Sequence, residues 1–166
     1  MIIFYFLFLI VGTTFTTEQK LHTDKGSKIM LLQKTFAIIK PDAVKAKNSG
    51  QIIDLVEKNG FKILRIQKLQ FTKKQAEQFY DIHKERPFFK ELVDFIISAP
   101  SIIMVLEKEN AIADWRKLMG ATDPLKADVG TIRKMFGQNI GNNATHGSDQ
   151  EDTAKKEIGQ FFPDLI

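Results

Sequence analysis

The spacing of apolar positions changes repeatedly along this chain, and each change predicts an element. Thr35-Phe-Ala-Ile-Ile39 is short and β-rich and stops at Lys40-Pro41-Asp42, where proline lacks a donor and restricts the residue before it. A strand followed by a loop is predicted. From Ser49, Ile52, Ile53, Leu55 and Val56 recur at helical spacing until Asn59-Gly60 supplies a stop that tolerates left-handed backbone. Phe61 to Phe71 is rich in Phe, Ile and Leu but too interrupted by charge for a helical face, and reads as a second strand. Thr72 then caps a helix whose Ala76, Phe79, Tyr80 and His83 share one face, and after Arg86-Pro87 another helix runs from Phe88 to Ser98. Ser101-Ile-Ile-Met-Val-Leu106 is an unbroken apolar run, as in a strand buried on both faces. Asn110 caps a helix through Leu118. Gly120 to Gly130 has no apolar periodicity and is long enough to be a functional loop. Asn143 to Asp149 reads as a short strand or turn, and Asp152 to Phe162 as a closing amphipathic helix.

The predicted order is β-α-β-α-α-β-α-loop-β-α. It suits an α+β fold of the ferredoxin-like split βαβ kind, a four-stranded antiparallel sheet covered by helices. The outlier is the first segment. Met1 to Val11 is wholly apolar or aromatic, Thr13 to Thr17 is small and polar, and the first charge is Glu18. The run resembles a signal-peptide core, yet no Lys or Arg precedes it, no clear small-x-small site follows, and it is too short to span a bilayer as a helix. Residues 1–29 are therefore read as an apolar leader and polar linker outside the fold, and residues 30–166 as the catalytic domain, with Met30 a second candidate start.

Composition narrows the chemistry further. The 166 residues carry 24 Lys and Arg against 20 Asp and Glu, a net charge of +4. An excess this small does not demand a long nucleic acid and fits a pocket collecting cations for a small anion. Absence of cysteine excludes disulfides, a thiol nucleophile, Cys-ligated zinc and iron–sulfur clusters. Neither G-x-x-x-x-G-K-[ST] nor G-x-G-x-x-G occurs, so a nucleotide would have to be held by side chains. His22, His83 and His146 lack metal-motif spacing. His146 stands out among small and polar neighbours in Asn143-Ala-Thr-His-Gly-Ser-Asp149, a setting suited to a nucleophile, although an isolated histidine is more often structural.

Five blocks then occur in one order: Thr35-Phe-Ala-Ile-Ile-Lys-Pro-Asp-Ala-Val44, Arg86-Pro-Phe-Phe89, Gly120-Ala-Thr-Asp-Pro124, Gly130-Thr-Ile-Arg133 and Asn143-x-x-His-Gly-Ser-Asp149. In these the chain resembles the nucleoside diphosphate kinase family across residues 34 to 162. The resemblance implies a phosphotransferase that moves the γ-phosphate of a nucleoside triphosphate, typically ATP, to a nucleoside diphosphate. It implies a ping-pong route through a phosphohistidine on His146, with Mg²⁺ held through the nucleotide phosphates and not by assigned protein side chains.

By the same resemblance, attack comes from the ring nitrogen of His146 nearer Cβ, and Glu157 is the carboxylate that orients the ring. Lys40, Arg116 and Arg133 resemble phosphate-binding cations. Thr122 resembles a hydroxyl donor to phosphate, Asn143 an amide on the ribose, Phe88 the aromatic on which the base stacks and Tyr80 the hydroxyl near the catalytic histidine. On sequence alone, Glu157 reads as a solvated helix residue, the cations as surface charges, Thr122 and Asn143 as loop residues, and Phe88 and Tyr80 as core. Leu92 and Ile140 fit either apolar walls around the base or core packing. Ser148 and Asp149 are expected to shape the histidine loop by hydrogen bonds. A catalytically silent regulatory or nucleic-acid-binding member would not need His146, Lys40 and Arg133, and a phosphohistidine carrier would not need Phe88, Thr122 and Asn143. The expected partners are nucleoside tri- and diphosphates and further copies of the chain, a tetramer ahead of a hexamer, with no obligatory nucleic acid and no stable membrane span. The expected compartment is the cytoplasm, the alternative being export or membrane association through residues 1–17.

Overall fold

The computed structural model describes residues 32–166. The predicted leader, the candidate start at Met30 and His22 lie outside the described residues. The first strand, β1 (Leu32–Ile39), begins three residues before the predicted one because its partly exposed start still pairs, with Leu32 opposite Glu109. After Lys40 the predicted loop is a short helix, α1 (Pro41–Lys45), with proline at its first position, where the missing N–H costs nothing and the fixed φ suits a helix. Helix α2 (Ser49–Lys58) ends at Asn59, and Gly60 takes a φ of +77°, the left-handed stop expected there.

Strand β2 (Lys62–Leu69) leads to α3 (Lys73–Phe79). Thr72 caps α3 in a reciprocal box, its side chain accepting from Gln75 N–H while the Gln75 side chain accepts from Thr72 N–H, an arrangement worth about 1 kcal/mol. The helix stops at Phe79, and Asp81–His83 tightens into a 3-10 turn, so His83 does not continue the predicted helical face. Helix α4 (Phe89–Ile96) and strand β3 (Ser101–Glu109) follow. Asn110 precedes α5 (Ala111–Met119) in left-handed backbone (φ +54°) with no side-chain capping bond. Its use here is the αL conformation that asparagine tolerates, not the predicted cap. Within the otherwise irregular stretch after Met119 a five-residue helix, α6 (Ile132–Phe136), is too short to show a period in sequence. Strand β4 (Thr145–Gly147) and helix α7 (Glu151–Phe161) complete the order.

The strands form one antiparallel sheet in the order β2-β3-β1-β4. Strands β1 and β2 flank β3, which runs against both, and this is the split βαβ arrangement of the ferredoxin-like fold. Successive side chains on a strand point to opposite faces, so β1 and β3 feed two cores. Phe36, Ile38, Ile103 and Val105 pack with Phe79 and Ile96 of α3 and α4 and Ile158 of α7. Ala37, Ile39, Met104 and Leu106 pack with Ile52 and Val56 of α2 and Trp115 of α5. Burial on both faces explains why these strands read as unbroken apolar runs. The short edge strand β4 pairs with β1 such that His146 lies opposite Ile38, which sets the histidine at the end of the sheet where α7 crosses. No helix of the described residues is long and apolar enough to cross a membrane.

Candidate active site

A cleft of about 990 Å³ opens over the β1–β4 end of the sheet. Its walls contain Lys40, Tyr80, Phe88, Arg116, Thr122, Arg133, Asn143, His146 and Glu157, so the nine residues singled out from sequence meet in one place. They come from the end of β1, the end of α3, the start of α4, α5, the loop after it, α6, β4 and α7, elements spread over almost the whole described chain.

His146 is the centre of the deepest contacts. Its Nε2 lies 2.9 Å from Glu157 Oε1, and the other carboxylate oxygen, Oε2, accepts from Ser148 Oγ at 2.6 Å. Ser148 Oγ in turn accepts from Phe36 N–H at 3.2 Å. Glu157 is only 7% exposed, and with both oxygens engaged its orientation is fixed. An ionised carboxylate only accepts, so the proton of a neutral His146 sits on Nε2 and leaves the lone pair on Nδ1. The Phe79 ring meets the imidazole edge-on at 5.0 Å. Trp115 Nε1 donates to the His146 carbonyl at 3.1 Å, and a Cβ at Gly147 would lie 2.2 Å from the Trp115 ring. Only glycine permits that approach at the residue after the histidine.

The cations are set differently from one another. Lys40 is buried, and its Nζ donates to Asn143 Oδ1 at 2.7 Å. Burial, then the nearby Arg133 charge, lower its pKa to about 8, against a smaller opposing pull from Asp42. Arg133 donates through Nη1 to Gly120 O at 2.9 Å and through Nη2 to Thr145 O at 3.1 Å, while its buried Nε has no protein partner. Burial and the Arg116 charge lower its pKa to about 10, which leaves it charged at neutral pH. Arg116 and Thr122 line the same cleft and are exposed. Burial, with Glu157 adding to it, raises the Tyr80 pKa, so the phenol stays protonated.

Asn143 is 2% exposed, and its Nδ2 donates to Thr122 O at 3.2 Å and Ile140 O at 2.7 Å. It ties the Thr122 loop to the lysine. Phe88 is 47% exposed at the mouth, with His83 5.8 Å away. It is therefore not a core aromatic, whereas Tyr80 belongs to the core and to the cleft wall at once. Ile140, 62% exposed, and Leu92, partly buried, both face the opening. Ser148 makes the hydrogen bonds expected of it. Asp149 is exposed at the cleft's edge. Sequence reasoning missed His83, Asp42 and Trp115. The first was placed on a helix face, and the other two act on backbone groups remote in sequence, which no local pattern reports.

The family model for nucleoside diphosphate kinase matches residues 33–165. A nucleoside diphosphate kinase of Pelobacter propionicus is 54% identical over 131 residues, covering 79% of this chain and 96% of that protein. One from Trichlorobacter lovleyi is 55% identical over 131 residues, with 79% and 95% covered. Among solved structures, the Aquifex aeolicus nucleoside diphosphate kinase superposes with a TM-score of 0.79 at 40% identity, covering 81% of this chain and 98% of that one. The Halobacterium salinarum nucleoside diphosphate kinase in complex with CDP superposes with a TM-score of 0.77 at 39% identity, covering 80% and 89%. With that breadth of match over the whole described fold, this chain belongs to the nucleoside diphosphate kinase family.

Proposed function

We propose that this chain is a nucleoside diphosphate kinase working in two half-reactions through His146. The observation that carries the reading is the His146 Nε2 to Glu157 Oε1 contact at 2.9 Å, because it puts the ring's proton on the nitrogen remote from Cβ. The Nδ1 lone pair then attacks the γ-phosphorus of a nucleoside triphosphate. The bond between that phosphorus and the bridging oxygen breaks, its electron pair leaves with the diphosphate, and the imidazole becomes N-phosphorylated. Glu157 stabilises the positive charge that develops on the ring. A second nucleoside diphosphate reverses the sequence and leaves as triphosphate.

Exchanging like phosphoanhydrides offers little driving force, so rate comes from positioning and electrostatics. Lys40 and Arg133 offset charge on the transferring oxygens, Arg116 and Thr122 bind the phosphates nearer the opening, and Tyr80 donates its retained proton beside the histidine. Asn143 holds Lys40 and meets the ribose, and Phe88 stacks on the base. Every base has a π-face, so purines and pyrimidines are both accepted. The donor set near the phosphates is cationic, which fits a divalent cation that arrives on the nucleotide. Mg²⁺ carried in this way would neutralise part of the phosphate charge beside Lys40, Arg116 and Arg133.

Residues 30–166 are proposed as the catalytic unit, working in the cytoplasm as a tetramer ahead of a hexamer. A chain beginning at Met30 is expected to retain full turnover. Intact mass, cell fractionation and light scattering test the leader, compartment and assembly together. The central experiment is incubation with γ-labelled ATP, which should give a label on His146 that is acid-labile, base-stable and discharged by any nucleoside diphosphate. Failure to label the folded protein would overturn the mechanism.

A further inference from the structure

The turn ahead of His146 is built in a way the nucleotide contacts do not account for. Ala144 has a φ of +67°, a region where an L side chain is strained and glycine is preferred. Thr145 N–H donates to Asn143 O at 2.8 Å, so residues 143–145 close a γ-turn in its rare, strained sense. The Ala144 side chain is fully buried against the core, where glycine would leave a gap. Such a backbone persists only when its surroundings over-determine it.

The restraint comes from a single segment at the end of β1. Lys40 N–H donates to Ala144 O at 2.8 Å. Ala144 N–H donates to Asp42 Oδ2 at 2.9 Å. Both backbone polar groups of the strained residue are thus tied to residues 40–42. The second carboxylate oxygen, Asp42 Oδ1, is buried without a partner, an unfavourable state for a charged group. The one hydrogen bond of this side chain among the described residues is the one it accepts from Ala144 N–H. Pro41 fixes the first turn of α1 and so the point from which Asp42 reaches out.

What hangs on the turn is the spacing of the reacting groups. On one side of Ala144, Asn143 Oδ1 accepts from Lys40 Nζ. On the other, Thr145 O accepts from Arg133 Nη2, and His146 follows. We infer that Asp42 is a positioning residue for phosphoryl transfer, its Oδ2 holding the Ala144 amide so that the strained turn fixes His146 relative to Lys40 and Arg133. The inference rests on the reading of His146 as the phosphorylated group. Asp42 is not among the residues that line the cleft.

The test compares kcat and KM for the full chain and for Asp42→Asn, Asp42→Ala and Asp42→Ala/Ala144→Gly, each shown folded by near-UV circular dichroism. Asp42→Ala is expected to lose roughly ten- to a hundredfold in kcat, the cost of misplacing groups by about an ångström, with KM changing far less. Asp42→Asn keeps an oxygen that can accept from Ala144 N–H and should retain most of the rate. Adding Ala144→Gly to Asp42→Ala should recover much of the lost kcat, because glycine reaches a positive φ without restraint. Wild-type kcat in Asp42→Ala, an Asp42→Asn as poor as Asp42→Ala, or a loss that Ala144→Gly leaves untouched would each overturn the inference. If Asp42→Ala does not fold, the double variant decides: folded and active supports the clamp, unfolded or inactive refutes it. Labelling of the wild type by γ-labelled ATP separates the two layers. An unlabelled wild type removes the reading of His146 and this inference with it, whereas a labelled wild type beside an indifferent Asp42→Ala removes this inference alone.

Discussion

The two sides of the cleft are built to different standards. The inner wall, where β1, β4 and α7 meet, holds Lys40, Asn143 and Glu157 buried and His146 half-buried, and each is tied to a neighbour at 2.7 to 2.9 Å. The rim carries Phe88, Arg116, Thr122 and Ile140, all exposed. Groups that must meet the reacting phosphorus gain from being immobile before substrate arrives, since misplacement there acts on the barrier. Groups proposed to meet the base and outer phosphates have only to bind, and for the broad acceptance proposed above a loose rim is no handicap. The contrast predicts that inner-wall substitutions lower kcat and rim substitutions raise KM.

The largest effect is expected at the centre of the inner wall. On the proposed mechanism His146→Ala removes the atom that accepts the phosphoryl group, so turnover should fall by about 10⁴-fold or more, the scale for loss of a nucleophile. The imidazole is partly exposed and the cores lie to either side of the sheet, so the melting temperature should change little. A folded variant with near-normal turnover would abolish the distinction between wall and rim.

Glu157→Gln sharpens the same comparison, because it changes charge and donor pattern but not shape. Ser148 Oγ accepts from Phe36 N–H and so directs its own proton at residue 157. In the variant that proton goes to the amide oxygen, and the NH₂ faces His146 Nε2. The ring's proton is then driven to Nδ1, the nitrogen proposed to attack, and kcat should drop by about 10²- to 10⁴-fold, comparable to other wrong-tautomer substitutions. Glu157→Ala, which lets Nε2 keep its proton and bind water, should be less impaired. An Ala variant slower than the Gln variant would show that packing, not tautomer control, is the role of this carboxylate.

How much of this was legible in the sequence follows the same division. Elements with a period or a stop of their own, such as α2 ending at Asn59-Gly60 or α3 opening on the Thr72 box, could be read locally. So could β1 and β3, whose two-sided burial leaves unbroken apolar runs. The short helices α1 and α6 could not, since five residues carry no periodicity. Asn110 was misread because one residue type serves both as a cap and as a left-handed turn, and only the backbone separates them. Six of the nine site residues were legible through the five blocks, whereas Tyr80, Arg116 and Glu157 lie outside them and followed only from the wider family resemblance. Whether Phe88 lay in the core or at a mouth depends on what packs over it, and Asp42 reaches across 102 positions to Ala144.

Lys40 gives the comparison a pH dependence. Its pKa is lowered to about 8, chiefly by burial, and only the protonated ammonium can offset phosphate charge. As pH rises through about 8 the charge is lost from free enzyme, so kcat/KM should fall on the alkaline side about tenfold per pH unit. A guanidinium, unlike an ammonium, stays charged throughout that range. Lys40→Arg should therefore flatten the alkaline limb even where its plateau is lower. A limb near pH 8 that survives Lys40→Arg would assign the titration to another group.

The smallest effect is expected at the rim. Phe88 is 47% exposed and 5.8 Å from the His83 ring, so it offers a base one face and remains in contact with water on the other. Stacking in such a setting belongs to the low end of its range, about 1 kcal/mol, or roughly fivefold in KM. The base lies away from the reacting phosphorus, so Phe88→Ala should weaken ground and transition states alike and leave kcat almost unchanged. The same fivefold should appear with purine and pyrimidine diphosphates, because the lost contact is to a π-face they share. A fall in kcat would place Phe88 functionally with the inner wall. A KM effect confined to one base would mean that the rim selects among nucleotides by hydrogen bonds or shape, and that its looseness is not the source of tolerance.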